Sequence, residues 1–342
     1  MRVAIDVSPL KNANRYRGVG IYTQQLVKSL QSLKISNFSC QLVENKSMIK
    51  DSDLIHYPFF DLFFLTLPLK KTKPTVVTIH DVIPLIFPEH FPPGIRGNLK
   101  FQIQKFSLKN TKAIITDSEN SKKDLFKYLN YPKDKIHVVP LAPAEEFKEL
   151  KIENYKLKIK QKYQLPEKFI LYVGDVNYNK NIPGLIKALS GLKEKMSLVL
   201  VGKAFKDENL KETREILQLI NSLKLEKKVL RLGWIPDKDL VAVYNLASVY
   251  CQPSFYEGFG LPVLEAMACG CPVVAAKTSS LSEICGSAAV MVDPNDINDM
   301  IRGLGEAINK REELIKKGFL QAKKFSWQKT AQQTYEVYQK VV

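Results

Sequence analysis

The fold is decided by the stretch from Pro253 to Ala276, PSFYEGFGLPVLEAMACGCPVVAA, in which a loop, a short helix and a buried strand follow one another. Glu257 and Gly260 lie in the loop, and Pro262 suits the first helical turn, where its missing N–H would have no partner anyway. Gly270 fits the left-handed exit of the helix. This order predicts one repeating unit of an α/β domain.

The glycines ahead of this helix predict a diphosphate site. They let backbone N–H groups approach a ligand at a helix end that carries partial positive charge. Two carboxylates, Glu257 and Glu265, bracket the turn with seven residues between them. Because a carboxylate only accepts hydrogen bonds, its partners beside a phosphate would be sugar and ribose hydroxyls. An ordinary loop with a solvated Glu265 is the alternative interpretation.

The same stretch resembles the signature of retaining glycosyltransferase family 4, with Glu257 and Glu265 inside S-x-x-E-G-F-G-L-P-x-L-E-A-M-A-x-G-x-P-V. The resemblance covers nearly the full chain. It implies the GT-B fold, in which two Rossmann-like α/β domains with parallel sheets face each other across a cleft and the C-terminal helix returns to the N-terminal domain. It places an acceptor-binding domain at residues 1–150 with 326–342, and a donor-binding domain at 151–325.

Size and composition agree with two domains, since 342 residues exceed what one core usually supports. The net charge of +16 is divided evenly, with +8 on residues 1–150 and +8 on residues 151–342. A nucleic-acid site would concentrate this charge on one element, so we expect no nucleic-acid partner. An anionic membrane or a phosphate-bearing substrate accounts for the charge better.

Five cysteines without Cys-x-x-Cys pairing indicate reduced thiols, and no uncharged apolar run is long enough to cross a bilayer. We therefore expect a cytoplasmic protein, with peripheral contact to the inner face of the membrane as an option. No cluster of His and Cys residues in the sequence suggests a metal site. The resemblance implies no cofactor, because the nucleotide sugar, GDP-, UDP- or dTDP-linked, is a substrate.

Two segments could contact a membrane. Phe59–Leu69 is an apolar run followed by Lys70, Lys71 and Lys73, and the predicted helix after it carries Arg96, Lys100, Lys105, Lys109 and Lys112. An apolar surface with a basic edge can enter a headgroup layer. Covering the N-terminal core and presenting a solvated charged face are the alternative interpretations.

In the N-terminal half, Gly18 and Gly20 lie where a loop meets the first helix, after a strand at Val3–Val7. The resemblance implies that they approach the donor diphosphate, although any strand-to-helix turn could carry such glycines. Tyr22 and Ser118 are candidates for acceptor binding. Ser118 could instead cap a helix.

His80 follows the predicted strand Thr75–Ile79, at the end where parallel sheets place ligands. The resemblance of His-Asp-x-Ile-Pro to the family's motif implies that His80 contacts the transferred sugar. A histidine that only braces the proline-rich loop is the alternative. Asp81 is assigned equally to acceptor contact and to loop capping.

In the C-terminal half, Lys180 lies in a turn after the strand Phe169–Val173, and the resemblance makes it the phosphate-binding lysine. Asn179 and Asp175 stand where many relatives have arginine, which would weaken the anion clamp. The resemblance places Trp234 and Ile235 at the nucleobase, while a core-packing Trp234 is the alternative.

The resemblance implies transfer of a sugar from a nucleotide sugar to a hydroxyl of a glycan or lipid-linked acceptor, with retention of configuration and without a metal. Lys180, Glu257 and His80 would be the catalytic residues. The donor would also contact Gly18, Gly20, Trp234, Ile235, Gly258, Phe259, Gly260, Leu261 and Glu265. The Asn-Lys-Asn and His-Asp-x-Ile-Pro variants resemble mannosyl- and rhamnosyl-type members, which suggests a mannose-like hexose. A nucleotide-sugar 2-epimerase and a non-catalytic nucleotide- or membrane-binding scaffold remain as alternatives.

Overall fold

A computed structural model of the chain describes residues 1–11, 18–44 and 51–342. These residues divide into two compact units, of which the first comprises Met1–Ala142 and Phe325–Val342 and the second Pro143–Lys324. Each unit has its own parallel sheet and its own hydrophobic core. The predicted α/β class with parallel sheets is confirmed.

The first unit alternates strands with helices. Its strands are β1 (Arg2–Asp6), β2 (Ser39–Val43), β3 (Leu54–Tyr57), β4 (Thr75–Thr78), β5 (Ala113–Thr116) and β6 (Ile136–Val138). Its helices are α1 (Gly18–Gln31), α2 (Ile83–Ile86), α3 (Gly94–Leu108), α4 (Glu119–Asp124) and, from the end of the chain, α13 (Trp327–Val341). The strand order is β2-β1-β3-β4-β5-β6 with parallel pairing, and β3, β4 and β5 are buried along their whole length.

The terminal helix α13 belongs to this unit because buried polar contacts fix it there. The hydroxyl of Tyr338 lies 2.6 Å from Nδ1 of His56 on β3, whose Nε2 lies 2.8 Å from the hydroxyl of Thr78 on β4. Burial lowers the pKa of His56 to about 3, so the ring is neutral and uses one nitrogen as donor and one as acceptor. The predicted return of the C-terminal helix to the N-terminal domain is confirmed.

The second unit repeats the alternation. Its strands are β7 (Phe169–Val173), β8 (Ser197–Val201), β9 (Val229–Gly233), β10 (Val249–Gln252), β11 (Val273–Ala276) and β12 (Val290–Val292). Its helices are α5 (Glu153–Lys162), α6 (Ile182–Gly191), α7 (Lys211–Ser222), α8 (Asp237–Leu246), α9 (Leu261–Ala268), α10 (Leu281–Cys285), α11 (Ile297–Asn309) and α12 (Arg311–Ala322). The stretch that opened the sequence analysis therefore forms α9 and β11 as predicted.

The strand order of the second sheet, β12-β11-β10-β7-β8-β9, determines where a ligand can bind. From β7 the chain adds β8 and β9 on one side, and it then returns to add β10, β11 and β12 on the other. The order reverses between β7 and β10, which pair in parallel. In open α/β sheets, ligands bind beside the carboxyl ends of the strands at such a switch point.

Within the described residues, no helix is long and apolar enough to span a bilayer. The five cysteines are free, and four of them are buried, so they act as small apolar residues of the core. The N-terminal loop that was expected to carry Gly18 falls in part on residues 12–17, outside the described ranges. Gly18 itself begins α1, which ends at Gln31.

Candidate active site

Lys180 and Glu257 form an ion pair at the switch point of the second sheet. Lys180 follows β7, Glu257 follows β10, and these two strands are neighbours. The Nζ atom of Lys180 lies 2.9 Å from Oε1 and 2.8 Å from Oε2 of Glu257. The exposed fraction of the side chain is 21% for Lys180 and 8% for Glu257. Two of the three residues that the resemblance makes catalytic are therefore in direct contact.

Two buried side chains hold the Glu257 carboxylate in place. The amide of Gln252, at the end of β10, donates to Oε1 at 2.6 Å, and the hydroxyl of Ser254 donates to the same oxygen at 2.6 Å. The backbone N–H of Glu257 donates to the hydroxyl of Ser279 at 2.9 Å. Among the described residues, Oε1 accepts from three donors, Lys180, Gln252 and Ser254, whereas Oε2 accepts from Lys180 alone. Oε2 therefore retains capacity to accept from a ligand hydroxyl.

Asn179 takes a structural role at the position where many relatives have arginine. Its side-chain amide donates to the carbonyl of Tyr256 at 2.9 Å, and its own carbonyl accepts from the N–H of Phe255 at 2.8 Å. The residue is buried. These bonds join the turn after β7 to the loop after β10, so Asn179 fixes Lys180 and Glu257 relative to each other.

The helix α9 begins at Leu261, directly after the loop that carries Glu257. Gly260 precedes the helix with φ of +98°, a left-handed conformation, and a Cβ here would lie 2.6 Å from Cδ2 of Leu281. Only glycine meets both conditions without strain. Pro262 occupies the first turn as predicted, and the first-turn N–H groups of any helix have no acceptor within the helix. The loop and the helix end can therefore present donors to an anion.

Glu265, on the first turns of α9, is half-buried and accepts a hydrogen bond from the hydroxyl of Tyr244 on α8 at 3.0 Å. Burial raises the pKa of Glu265 to about 7, the Tyr244 bond opposes that rise, and the charges of Asp237 and Glu146 add to it. The carboxyl group therefore titrates near neutral pH. Burial raises the pKa of Tyr250, and the charges of Glu257 and Glu265 add to this rise.

Trp234 and Ile235 follow β9 on the same edge of the second sheet. Trp234 has an exposed fraction of 59%, so the alternative interpretation of it as a core residue is wrong. Ile235 is buried, with an exposed fraction of 4%. An exposed indole at the carboxyl end of a strand can stack on a planar ring. Their contact with a nucleobase stays a prediction.

In the first unit, His80 follows β4 and contacts Asp117, which follows the neighbouring β5. His80 Nδ1 lies 2.7 Å from Oδ2 of Asp117. Burial disfavours the charged ring, but the charge and hydrogen bond of Asp117, together with the charge of Asp81, outweigh it and raise the pKa of His80. Among the described residues, Nε2 of His80 is buried and has no hydrogen-bond partner. A histidine oriented through Nδ1 presents Nε2 as the functional atom.

Three candidates for acceptor binding lie around His80 or on the next helix. Tyr22 is buried, its hydroxyl lies 3.0 Å from that of Thr78, and its ring packs edge-on against His80 with centroids 4.6 Å apart. Ser118 caps α4 by accepting from the N–H of Ser121 at 3.0 Å, and Asp81 accepts from the N–H of Ile83 at 3.0 Å. Ser118 therefore caps a helix and Asp81 caps its loop, which are the alternative roles given for them. Tyr22 supports the ring of His80. Acceptor contacts for these residues stay predictions.

Several residues that support the site were not predicted from the sequence. Asp117, Gln252 and Tyr244 each support an assigned residue, namely His80, Glu257 and Glu265. One available signal is that Asp117 and Gln252, like His80, lie at or directly after the carboxyl end of a strand rich in β-branched or aromatic residues. Tyr244 is one of many apolar helix residues, and nothing in the local pattern marks it.

In the part of the chain that the structure describes, no group of three or more His, Cys, Asp or Glu side chains could hold a metal ion. Lys180 lies beside the loop that leads into α9, and its ammonium has more donors than the Glu257 carboxylate uses.

Two units built on parallel sheets, with a lysine–glutamate pair and a helix N-terminus at one switch point, define an α/β protein with a candidate ligand site in its second unit. A family model described as Glycosyl transferases group 1 matches residues 155–321, and one described as Glycosyltransferase Family 4 matches residues 41–142. O-antigen chain mannosyltransferase B of Escherichia coli is 34% identical over 274 residues, which cover 78% of this chain and 71% of that protein. The chain therefore belongs to glycosyltransferase family 4 and is an enzyme of the hexosyltransferase class.

Solved structures agree on the fold. Sucrose-phosphate synthase from Thermosynechococcus elongatus superposes with a TM-score of 0.80 at 20% identity, over 99% of this chain and 98% of that one. Anabaena HepE in complex with UDP-glucose superposes with a TM-score of 0.76 at 17% identity, over 99% of this chain and 100% of that one. The predicted GT-B fold is confirmed.

Proposed function

We propose that the protein transfers a mannose-like hexose from a nucleotide sugar to a hydroxyl of a glycan or lipid-linked acceptor, with retention at the anomeric carbon. The ion pair of Lys180 and Glu257 at the switch point of the second sheet carries this proposal. The name of the Escherichia coli relative, a mannosyltransferase of O-antigen chains, supports mannose and a glycan acceptor. HepE, solved with UDP-glucose, supports a nucleotide sugar as the donor class.

The second unit binds the donor in this proposal. Lys180 and the N–H groups of Gly258, Phe259, Gly260 and Leu261 contact the diphosphate, while Trp234 and Ile235 contact the nucleobase. Glu257 accepts from hydroxyls of the transferred sugar through Oε2, the oxygen that accepts fewer bonds. Glu265 accepts from the ribose. Gly18 and Gly20, at the start of α1, also contact the donor.

The chemistry is the loss of a nucleoside diphosphate. The bond between the anomeric carbon and the phosphate oxygen breaks, and its electron pair stays on the phosphate. Lys180 and the donors ahead of α9 stabilise that charge, which is the largest contribution a preorganised site makes. The acceptor hydroxyl attacks the anomeric carbon from the same face, and its proton passes to the departing phosphate oxygen.

His80 holds the transferred sugar through its Nε2 atom in this proposal. The support is that Nε2 is buried without a hydrogen-bond partner among the described residues, while Nδ1 is held by Asp117. A buried polar atom without a partner is unfavourable, and a sugar hydroxyl would satisfy it. Asp117 then acts as a positioning residue for His80.

The assay that tests the proposal measures release of nucleoside diphosphate from GDP-, UDP- and dTDP-linked hexoses, with and without a mannose-terminated oligosaccharide. We expect release that depends on the acceptor, and a product whose anomeric configuration, read by NMR, equals that of the donor. Isomerisation of the donor without an acceptor would instead identify an epimerase. Donor binding without turnover on any acceptor would instead identify the protein as a non-catalytic nucleotide-binding scaffold.

The ribose contact of Glu265 makes donor affinity depend on pH. Because the free carboxyl group has a pKa of about 7 and ribose hydroxyls donate to its ionised form, binding lowers that pKa and releases a proton. Affinity for a nucleotide sugar should fall as the pH drops below 7, by up to about tenfold for each pH unit. Calorimetric titration from about pH 6 to about pH 8 measures the effect, because this range extends about one unit on either side of the pKa of Glu265.

The matched control is Glu265→Gln, which keeps the size of the side chain and does not titrate. A nucleotide sugar serves as ligand because it lacks the terminal phosphate group that titrates near pH 6. We expect weaker binding that is flat with pH in the variant. An equally steep dependence on pH in Glu265→Gln would remove Glu265 from the ribose site.

A further inference from the structure

Buried polar side-chain atoms without a hydrogen-bond partner are concentrated in the first unit. Among the described residues there are five such atoms, and all of them belong to this unit. They are Nε2 of His80, Oγ1 of Thr116, Oδ1 of Asp117, Nε1 of Trp327 and Oγ1 of Thr334. A buried polar group without a partner costs free energy, so these atoms call for a partner other than the protein itself.

Three of these residues are connected by contacts around Tyr22 of α1. The ring of His80 packs against Tyr22 with centroids 4.6 Å apart, and the ring of Trp327, the first residue of α13, packs against Tyr22 with centroids 6.1 Å apart. Asp117 joins them through its 2.7 Å contact with His80. The exposed fraction is 7% for Trp327 and 2% for Asp117. We call these four residues the Tyr22 cluster.

A chain of buried hydrogen bonds holds Tyr22 at the centre of the cluster. Its hydroxyl lies 3.0 Å from that of Thr78, which lies 2.8 Å from Nε2 of His56. Nδ1 of His56 lies 2.6 Å from the hydroxyl of Tyr338. Tyr338 and Trp327 are both on α13, so this helix supplies one end of the chain and one ring of the cluster. The Tyr22 cluster is therefore positioned before a ligand binds.

The three unpartnered atoms of the cluster suit a ligand that carries hydroxyl groups. The indole Nε1–H of Trp327 can only donate, and a carboxylate oxygen such as Oδ1 of Asp117 can only accept. Nε2 of His80 accepts when the ring is neutral and donates when the ring is protonated. A hydroxyl group both donates and accepts, so the hydroxyls of one sugar ring match this set. A phosphate group fits less well, because its oxygens and the Asp117 carboxylate are all acceptors.

We propose that Trp327 is a substrate-binding residue whose indole N–H donates to a hydroxyl of the transferred sugar. The inference rests on the proposed contact of His80 with that sugar, and it adds the terminal helix α13 to the elements that bind it. Trp327 and His80 then bind one sugar from two rings that both pack against Tyr22. Buried water offers the same hydroxyl chemistry, and the experiment separates these two sources.

The test uses the indole N–H signals of the full chain in a proton–nitrogen correlation spectrum. The chain has two tryptophans, Trp234 and Trp327, and the spectrum of Trp234→Phe assigns their signals. The probes are GDP-mannose, UDP-glucose and dTDP-rhamnose, each compared with its free nucleoside diphosphate. We expect the Trp327 signal to shift with the nucleotide sugar that binds and to stay in place with the nucleoside diphosphate. The Trp234 signal, from the proposed nucleobase contact, should shift with both.

Trp327→Phe keeps an aromatic ring and removes the donor. Its affinity for the nucleotide sugar should fall about fivefold, the effect of one net hydrogen bond, while its affinity for the nucleoside diphosphate stays unchanged. Tyr335→Phe is the matched control, because Tyr335 is on the same helix and its ring packs against Phe38 with centroids 4.8 Å apart. Calorimetric titration measures both affinities, and thermal unfolding checks that each variant is folded.

The two tryptophan signals distinguish failure of this inference from failure of the proposed function. The inference is overturned, while donor binding stands, if the Trp234 signal responds to a nucleotide sugar and the Trp327 signal does not. It is also overturned if Trp327→Phe binds both ligands as Tyr335→Phe does. Magnetisation transfer from water to the Trp327 indole that persists unchanged with the nucleotide sugar would assign the partner to buried water instead. If neither signal responds to any of the nucleotide sugars, the inference and the proposed donor site both fail.

Discussion

Lys180→Ala should lower turnover by on the order of 100-fold, the effect of removing one donor that stabilises developing negative charge. Lys180 is held 2.8 Å from Glu257 beside the loop that leads into α9, where the proposed diphosphate lies. Its ammonium acts mainly once the phosphate gains charge, so the loss should appear in kcat more than in KM. Steady-state kinetics with saturating acceptor measure the split.

Lys277→Ala is the control for the loss of a lysine from the same unit. Lys277 forms an ion pair with Asp293 at 3.6 Å, and the exposed fractions of the two side chains are 55% and 39%. Such a pair contributes little, so turnover and thermal stability should both stay near those of the parent protein. If Lys180→Ala retained full turnover while binding donor normally, the lysine would have no part in the departure of the diphosphate.

The sequence alone predicted the α/β class and the two parallel sheets. These predictions succeeded because glycine, proline and the buried strands act locally. Gly260 and Pro262 define the start of α9 by their own backbone preferences, and the strand after Gly270 is apolar throughout. The family signature supplied the rest, since it identified both ends of the ion pair.

The supporting residues could not be predicted, because they depend on the order of strands in the sheet. Asn179 joins Lys180 to the loop after β10 only because β10 returns to lie beside β7, and no local pattern reveals that return. The same holds for Asp117, which reaches His80 across neighbouring strands. The burial of Tyr22 against Thr78 could not be predicted either, because a tyrosine near a glycine turn gives no sign of its burial. Its contact with the acceptor stays a prediction.

The support that Gln252 and Ser254 give to Glu257 has a functional consequence. A lysine and a carboxylate in contact could neutralise each other and leave nothing for the ligand. Here Oε1 is used by protein donors, so Glu257 keeps its position when a diphosphate competes for Lys180. The pair is thus arranged to hold Lys180 before binding and to release part of its charge to the phosphate afterwards.

Glu257→Ala should have the largest effect on stability as well as on activity. It leaves Lys180 without its anion and leaves the buried amide of Gln252 and hydroxyl of Ser254 without their common acceptor. Removing one partner of a fully buried pair costs about 3 to 5 kcal/mol, and the partial exposure of Lys180 reduces this to about 2 to 3 kcal/mol. The unfolding midpoint of the second unit should fall by roughly 5 to 10 °C. Differential scanning calorimetry measures this shift.

Glu257→Gln separates the carboxylate's charge from its hydrogen bonds. The amide oxygen can still accept from Gln252 and Ser254, so this variant should recover most of the lost stability while turnover stays down by about 100-fold or more.

In a double-mutant cycle, Lys180→Met with Glu257→Gln should lose little more turnover than either change alone, because the two residues act as one unit. Additive losses would mean that the two side chains serve separate steps. A stable Glu257→Gln protein with normal turnover would show that the carboxylate only braces the loop, and the sugar contact would then have to come from another residue.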